Sequence, residues 1–254
     1  MFSLEVNNIY NMDCLEGMKL IPNKSIDAII CDLPYGVSKN KWDSIIPFSE
    51  LWQQYNRIIK ENGPIILFGQ GAFSAELMLS NRKMWRYNLI WEKSQSVGFL
   101  NARRMPLRKH EDILIFYKKL PTYNPQIEDR QGVKAGIKTN KNRQSSNYNF
   151  FNDGYYRTIP VEKTYPKSIL KFNNEQRVKT FHPTQKPVAL IEYLIKTYTN
   201  EGELILDNCM GSGTTAIAAI NTNRDYIGFE LDETYYNKAV ERINDKRGVM
   251  SANI

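Results

Sequence analysis

Short apolar segments alternate with longer amphipathic stretches along most of the chain, and this alternation limits the folds that the sequence can adopt. The apolar segments are rich in Ile, Leu and aromatic residues and are bounded by turn-forming residues, which is typical of buried strands. The predicted strands are Asn8–Asn11 (the weakest), Ser25–Cys31, Pro64–Phe68, Tyr87–Trp91, Ile113–Tyr117, Leu204–Leu206 and Tyr226–Phe229. The predicted helices are Pro47–Lys60, Ala72–Arg82, Pro187–Tyr198, Thr214–Asn221 and Glu233–Lys246. This order predicts an α/β fold with a doubly wound, mostly parallel sheet.

The positive charge of the chain is concentrated in one segment. The 254 residues include 34 Lys or Arg and 27 Asp or Glu, a net charge of +7. Residues 118–179 alone carry thirteen basic and five acidic residues, with eight Asn and five Tyr. Low apolar content argues against a second core here, whereas basic, amide and aromatic side chains together suit contact with phosphates and bases. A solvated insertion without a partner is the alternative.

The domain prediction follows from this segment. Residues 118–180 form a basic insertion, and residues 1–117 and 181–254 form the two halves of one α/β domain. In this division the strands of both halves belong to the same sheet, and ligands in such sheets bind at the carboxyl ends of the strands.

Cysteine, histidine and hydropathy patterns exclude several classes of protein. Cys14, Cys31 and Cys209 form no Cys-x-x-Cys pair, and His110 and His182 stand far apart, so we expect neither a disulfide framework nor a metal site. No apolar run reaches the roughly 18–20 residues that span a membrane. The N-terminus lacks the pattern of a signal peptide. We therefore expect a cytoplasmic protein with no membrane partner.

A glycine-rich turn joins a predicted strand to a predicted helix within residues 204–216, LILDNCMGSGTTA. Gly211 and Gly213 allow the backbone to approach a ligand, and the helix N-terminus directs free N–H groups toward it. Glu230 ends the next strand, nineteen residues after Gly211, where a carboxylate can accept both hydroxyls of a ribose. NAD or FAD would also fit this pattern. Asp207 instead favours a cationic group, such as an amino-acid ammonium, because it would repel a pyrophosphate.

A second group of polar and aromatic residues, Asp32, Leu33, Pro34 and Tyr35, follows the strand Ser25–Cys31. Leu33 precedes a proline, so it is held extended and its carbonyl has a fixed direction. Asp32 and this carbonyl can both accept hydrogen bonds from one –NH2 group, and Tyr35 can stack on the ring that bears it. Taken alone, the four residues also fit an ordinary turn at the end of a strand.

Together, the two motifs resemble those of the DNA amino-methyltransferases that use S-adenosylmethionine. Asp32–Tyr35 resembles their catalytic Asp-Pro-Pro-Tyr motif, and Leu206–Thr215 resembles their cofactor motif. Other segments that resemble this family are Asp13–Glu16, Trp91–Lys93, His110–Phe116 and Phe181–Pro187. The catalytic motif precedes the cofactor motif by 175 residues, with the basic segment between them, which is the permuted order of the beta group.

The resemblance implies a Rossmann-like methyltransferase fold, S-adenosylmethionine as cofactor and a base flipped out of DNA as substrate. An aspartate at the first motif position goes with adenine, so Asp32 implies transfer to the adenine N6 amino group. The implied cofactor-binding residues are Asp13 at the adenine edge, Lys186 at the carboxylate, Asp207 at the ammonium, Glu230 at the ribose, and Gly211, Gly213 and Thr214 in the turn. The chain departs from the family pattern at Leu33, which replaces a proline but keeps its carbonyl, and at Asn208-Cys209, which replaces Pro-Phe.

Two clusters of basic residues are predicted to contact DNA. The first is Arg103, Arg104, Arg108 and Lys109, for which a solvated loop is the alternative; the second is Lys141 and Arg143 in the insertion, which the resemblance identifies as a target-recognition region. The implied partner is double-stranded or single-stranded DNA, bound by a nucleoid-associated restriction-modification or orphan enzyme. A homodimer and a cognate restriction endonuclease stay open as further partners.

Several alternative functions stay open at this point. The nearest is a cytosine-N4 methyltransferase, followed by a methyltransferase acting on RNA or protein. A nicotinamide oxidoreductase would leave Asp32–Tyr35 and the basic insertion unexplained, and a non-catalytic nucleic-acid-binding protein would need neither Asp207 nor Glu230.

Overall fold

A computed structural model describes residues 4–36, 43–130, 160, 162–174 and 185–251. The chain divides into two compact units, a larger one of residues 1–124 and 168–254 and a smaller one of residues 125–167. In its described part, the smaller unit contains a short antiparallel ladder that pairs Glu128 with Thr164 and Asp129 with Lys163.

The described elements follow the predicted alternation of strands and helices. The strands are β1 (Asn8–Asn11), β2 (Ala28–Cys31), β3 (Ile65–Gly69), β4 (Trp85–Val97), β5 (Arg108–Phe116), β6 (Glu128–Asp129), β7 (Lys163–Thr164), β8 (Ile169–Phe172), β9 (Leu204–Asp207) and β10 (Asp225–Glu230). The helices are α1 (Cys14–Lys19), α2 (Phe48–Ile58), α3 (Ala72–Ser80), α4 (Val188–Tyr198), α5 (Thr214–Asn221) and α6 (Glu233–Ser251). None of the described helices is long and apolar enough to cross a membrane.

Eight described strands of the larger unit form one sheet in the order β1-β10-β9-β2-β3-β5-β4-β8. The first five strands of this order are parallel, β5 is antiparallel to its neighbours β3 and β4, and β8 is parallel to β4. Strands β2 and β9 are adjacent, with Ala28 paired to Ile205 and Ile29 to Leu206. The predicted doubly wound, mostly parallel sheet is confirmed, and it has an antiparallel part toward one edge.

Helices cover both faces of this sheet because successive side chains of each strand point to opposite faces. In β2, for example, Ile29 and Cys31 pack with residues of α1, α2 and α3, whereas Ile30 packs with residues of α4, α5 and α6. Strands buried on both sides read as continuous apolar runs, which explains why the sequence signalled them clearly.

Four of these described elements were absent from the sequence prediction, namely helix α1 and strands β6, β7 and β8. Helix α1 has six residues, too few to show a periodic pattern, and it begins after Asp13, whose side chain caps it. Strand β8 lies inside the basic segment, yet it pairs with β4 from Ile90–Ile169 to Lys93–Phe172. The sheet therefore extends into the segment predicted as the insertion, residues 118–180, and the smaller compact unit ends at Lys167.

Candidate active site

A cavity of about 620 Å³ opens at the carboxyl ends of the parallel strands. It is lined by both predicted motifs, because β2 and β9 are neighbours and each motif starts where its strand ends. Asp32, Leu33, Pro34 and Tyr35 all line it. Of the predicted cofactor residues, those that line it are Asp13, Lys186, Asp207, Gly211, Thr214 and Glu230.

The glycine turn between β9 and α5 is held by the carboxylate that ends β10. Gly211 has a φ of +55° and its N–H donates to Glu230 Oε2 over 2.7 Å. The other oxygen, Oε1, accepts from the N–H of Asp232 over 2.9 Å. Burial raises the pKa of Glu230, although these two hydrogen bonds oppose the rise. Gly211 and Glu230, which are nineteen residues apart in the sequence, are therefore in direct contact.

Gly213 does not line the cavity and has a packing role instead. Its φ is +76°, and a Cβ at this position would lie 3.2 Å from the methyl group of Ala239 on α6. Thr214, the first residue of α5, is buried and its hydroxyl lies 3.0 Å from that of Ser212. Of the two glycines, Gly211 faces the cavity, whereas Gly213 allows α5 and α6 to pack closely.

Asp207 is almost fully buried and both of its carboxylate oxygens brace the same turn. Oδ2 accepts from the Thr215 hydroxyl over 2.6 Å, and Oδ1 accepts from the Cys209 N–H over 3.0 Å. Burial raises the pKa of Asp207 to about 6, with the two hydrogen bonds opposing the rise. Asp207 is therefore mostly ionised at neutral pH, although the environment disfavours its charge.

Residues around the turn also position the cysteines and Asn208. Asn208 Oδ1 accepts from the hydroxyl of Tyr55 over 2.5 Å, and both residues are buried. Asn208 Nδ2 donates to Cys209 Sγ over 3.5 Å, and the neighbouring thiols of Cys14 and Cys31, together with burial, raise the pKa of the Cys209 thiol. All three cysteines are free.

Asp13 joins the cavity from the loop after β1. Its Oδ1 accepts from the N–H groups of Leu15, over 2.8 Å, and Glu16, over 3.2 Å, so this oxygen caps α1. Because Oδ1 makes both capping bonds, Oδ2 is the oxygen left for a ligand. Asp13, Asp207 and Glu230 together place three carboxylates around one cavity.

The catalytic motif leaves β2 at Asp32. Asp32 Oδ1 accepts from the Tyr35 hydroxyl over 2.8 Å, and the Tyr35 ring stacks on Phe73 with 4.8 Å between the ring centroids. Leu33 is buried in the apolar core on the side of α1, α2 and α3. The leucine that replaces the family's proline is therefore anchored by its side chain.

Asp32 also belongs to a buried group of four charges that the sequence did not predict. Asp32 Oδ2 accepts from Lys186, whose Nζ lies 3.3 Å from Glu111 Oε2, and Glu111 Oε1 accepts from Lys93. Burial raises the pKa of Asp32, opposed by the charge of Lys186. Burial alone would lower the pKa of Lys186, but the two carboxylates raise it. The cofactor role of Lys186 stays a prediction, because its ammonium contacts these carboxylates.

Glu111 and Lys93 had a sequence signal that was not assigned a role. They lie in the two segments that resemble the family, Trp91–Lys93 and His110–Phe116, on the adjacent strands β4 and β5. Burial would raise the pKa of Glu111, but Lys186 and Lys93 together lower it. Strand pairing places these two side chains next to each other, and neither the charge pattern nor the hydropathy of the sequence indicates this.

The structure describes four of the six predicted DNA-binding residues. Arg103, Arg104 and Arg108 are exposed at the tip of the β4–β5 hairpin, and their side chains have no partner among the described residues. Lys109 is exposed and pairs with Glu92 over 3.1 Å. Lys141 and Arg143 lie outside the described residues.

A comparison with protein families identifies the chain. The family model N6_N4_Mtase, described as DNA methylase, matches residues 26–241, which include both motifs. The chain belongs to this family of DNA methylases. The predicted resemblance is confirmed, and the protein is a DNA amino-methyltransferase.

Similar proteins support the assignment of the chain to this family. The DNA methylase is 30% identical to the type II methyltransferase M1.MboII of Moraxella bovis, in an alignment of 256 positions that covers 93% of this chain and 96% of the relative. It is 25% identical to the DNA adenine methyltransferase YhdJ of Escherichia coli (strain K12), over 96% of this chain and 84% of that protein. Both alignments extend across nearly the whole methylase.

Solved structures give the same fold. The complex of M1.HpyAVI with SAM superposes with a TM-score of 0.62 at 26% identity and covers 92% of the methylase and 98% of that chain. The cytosine-N4-specific PvuII DNA methyltransferase superposes with a TM-score of 0.68 at 16% identity, over 97% of the methylase and 95% of that chain. At this identity, the second likeness concerns the fold alone.

Proposed function

We propose that this DNA amino-methyltransferase transfers a methyl group from S-adenosylmethionine to the N6 amino group of a flipped-out adenine. The observation that carries the proposal is the position of Asp32, which lies in the same cavity as the glycine turn and the carboxylates of Asp207 and Glu230. One cavity can therefore hold a cofactor and a base side by side.

The cavity fits S-adenosylmethionine in volume and in donor set. Its volume of about 620 Å³ is within the range of pockets that enclose small ligands and cofactors. When bound, the cofactor supplies an electrophilic methyl group on a positively charged sulfur. In this proposal Asp13 binds the adenine edge, Glu230 the ribose hydroxyls and Asp207 the ammonium group. Asp207 and Glu230 accept hydrogen bonds from the turn on both of their oxygens, and a carboxylate has about four lone-pair sites, so each can also bind a ligand.

Asp32 and Leu33 act on the amino group of the base. Its lone pair is delocalised into the ring, so the group is a poor nucleophile. Hydrogen bonds from the –NH2 group to the Asp32 carboxylate and the Leu33 carbonyl would localise this lone pair. The raised pKa of Asp32 also suits a carboxylate that takes up the proton lost by the methylated amino group. Tyr35 stacks on the base and Pro34 fixes the turn.

Adenine is favoured over cytosine by Asp32 and by the similarity to the DNA adenine methyltransferase YhdJ. The N4 amino group of cytosine poses the same chemical problem, and the matching family model, N6_N4_Mtase, keeps it as the second candidate. Both reactions use the same residues in the same roles. The base therefore has to be identified by chemical analysis of the product.

The test is transfer of labelled methyl groups from S-adenosylmethionine to genomic DNA, followed by nucleoside analysis. We expect label in N6-methyladenine. Label in N4-methylcytosine would overturn the assignment of the base. Unlabelled DNA would overturn the assignment of DNA as the substrate. Asp32→Ala should abolish transfer while cofactor binding, measured by calorimetry, stays within about twofold of wild type. Asp245→Ala, on the exposed side of α6, is the matched control and should change neither. Full activity of Asp32→Ala would contradict the assigned role.

A further inference from the structure

Two buried charges next to the site, Glu111 and Lys93, have no part in the chemistry proposed above. Their side chains are each about 10% exposed, although a buried charge is costly unless it is paired. They pair with each other across β4 and β5, and Glu111 also faces Lys186. Their burial beside the catalytic carboxylate calls for a reason beyond stability, since buried ion pairs rarely stabilise a fold more than apolar residues do.

Asp32 is already engaged on both oxygens before any base arrives. Oδ1 accepts from Tyr35 and Oδ2 accepts from the ammonium of Lys186. A lysine ammonium is a stronger hydrogen-bond donor than a neutral aromatic amino group. While Lys186 occupies Oδ2, it competes with the target amino group and withdraws charge from the carboxylate that should polarise it.

Glu111 offers Lys186 a second place to bind. Its Oε2 is buried and forms an ion pair with Lys186 without the geometry of a full hydrogen bond, whereas its Oε1 is held by Lys93. A buried carboxylate oxygen is stabilised when a well-aligned hydrogen bond satisfies it. Lys186 Nζ lies 3.3 Å from this oxygen, so a displacement of a few tenths of an ångström would complete a charge-assisted bond.

We propose that Glu111 is a positioning residue that takes Lys186 over from Asp32 when the target amino group enters, while Lys93 keeps Glu111 in place. This proposal rests on the methyl transfer proposed above. The exchange moves one hydrogen bond between two carboxylates, and the four side chains together carry no net charge before or after it. The full negative charge of Asp32 then acts on the amino group of the base. Lys186 remains buried between Asp32 and Glu111 throughout.

The first variant is Glu111→Gln, which keeps the shape of the side chain but removes its charge. With only a neutral amide to receive it, Lys186 stays on Asp32. We expect the single-turnover rate on DNA to fall by about 10- to 100-fold. The dissociation constant for S-adenosylmethionine should stay within about twofold of wild type. A wild-type rate in Glu111→Gln would overturn the proposal, and so would a change confined to cofactor affinity, which would assign Lys186 to the cofactor.

A second variant separates positioning from folding, because Glu111→Gln leaves Lys93 as an unpaired buried charge. Lys93→Met/Glu111→Gln removes both charges and should regain most of the melting temperature. We expect its methylation rate to stay as low as that of Glu111→Gln. Recovery of the rate together with the melting temperature would mean that the pair serves stability alone. Wild-type enzyme is assayed in parallel, and its failure to methylate DNA would refute the proposed function separately.

Discussion

Replacing Asp207 with Asn should stabilise the protein at alkaline pH while it impairs cofactor binding. Burial raises the pKa of this carboxyl from its ordinary 3.8 to about 6. Because each pKa unit corresponds to about 1.4 kcal/mol, ionisation of Asp207 in the folded protein costs about 3 kcal/mol of stability. Asn can still accept from the Cys209 N–H and can donate to the Thr215 hydroxyl, so the turn keeps both hydrogen bonds.

The pH dependence gives the sign of this effect. A carboxyl whose folded pKa is raised contributes stability below its unfolded pKa, and this contribution is lost as the pH rises through about 6. The Asn variant has no such titration. The difference in unfolding free energy between the Asn variant and wild type should therefore be larger at pH 8 than at pH 5, by about 1.4 kcal/mol. Other titrating groups cancel in this comparison because both proteins carry them.

The assay is urea unfolding of both proteins at pH 5, 6, 7 and 8, with calorimetric titration of S-adenosylmethionine at pH 8. We expect the difference in unfolding free energy to grow with pH and cofactor affinity to fall in the variant. A difference that stays constant from pH 5 to pH 8 would refute the assignment of a raised pKa to Asp207. Asp245→Asn, on exposed α6, is the control and should leave both quantities unchanged.

Three further predictions concern the turn, its support and the hairpin tip. Gly213→Ala should lower the unfolding free energy by about 1–2 kcal/mol, because φ is +76° and the new methyl group meets α6. Tyr55→Phe should cost about 1–3 kcal/mol in the same urea assay, since it leaves the buried Asn208 oxygen without its donor. Arg103→Ala/Arg104→Ala should reduce the salt slope of DNA binding by about 0.9 per lost phosphate contact, as measured by fluorescence anisotropy at several salt concentrations.

Each of these variants has a control or a contradicting result. Gly202→Ala has a similar φ of +78° but no atom near the new methyl group, so it should cost less than Gly213→Ala. Tyr123→Phe, at an exposed tyrosine, should leave stability unchanged. An unchanged salt slope in the double arginine variant would mean that the hairpin tip is a solvated loop.

Much of the fold follows from the sequence because buried parallel strands give an unusually clear signal. Strand β1 and helix α5 begin and end where the sequence predicted, and β2 differs only at its start. Strand β4, by contrast, extends to Val97, well beyond the apolar run that ends at Trp91. Its second half is polar and partly exposed, and it is held by pairing with β5 and β8. Local hydropathy cannot report pairing of this kind.

The site was predictable to the extent that its residues stand next to each other in motifs. Asp32–Tyr35 and the glycine turn each occupy one short stretch, so spacing alone assembles them. The ion group of Asp32, Lys186, Glu111 and Lys93 draws on β2, β4, β5 and the segment before α4. Its members meet because of sheet order, which only the three-dimensional structure gives. This is why Glu111 and Lys93 were missed and the contact of Lys186 with Asp32 was not predicted.

The adjacency of β2 and β9 also has a consequence for how the protein is made. Ile205 pairs with Ala28, so β9 leaves the ribosome about 180 residues after its neighbour. At typical synthesis rates, about 10–35 seconds pass in which one edge of the apolar strand β2 has no partner. An unpaired strand edge promotes aggregation, because it can pair with another chain. We therefore expect rapid overproduction to favour inclusion bodies. Slower synthesis or added chaperones should favour soluble enzyme. Methylating activity should arise only when almost the entire chain has been synthesised.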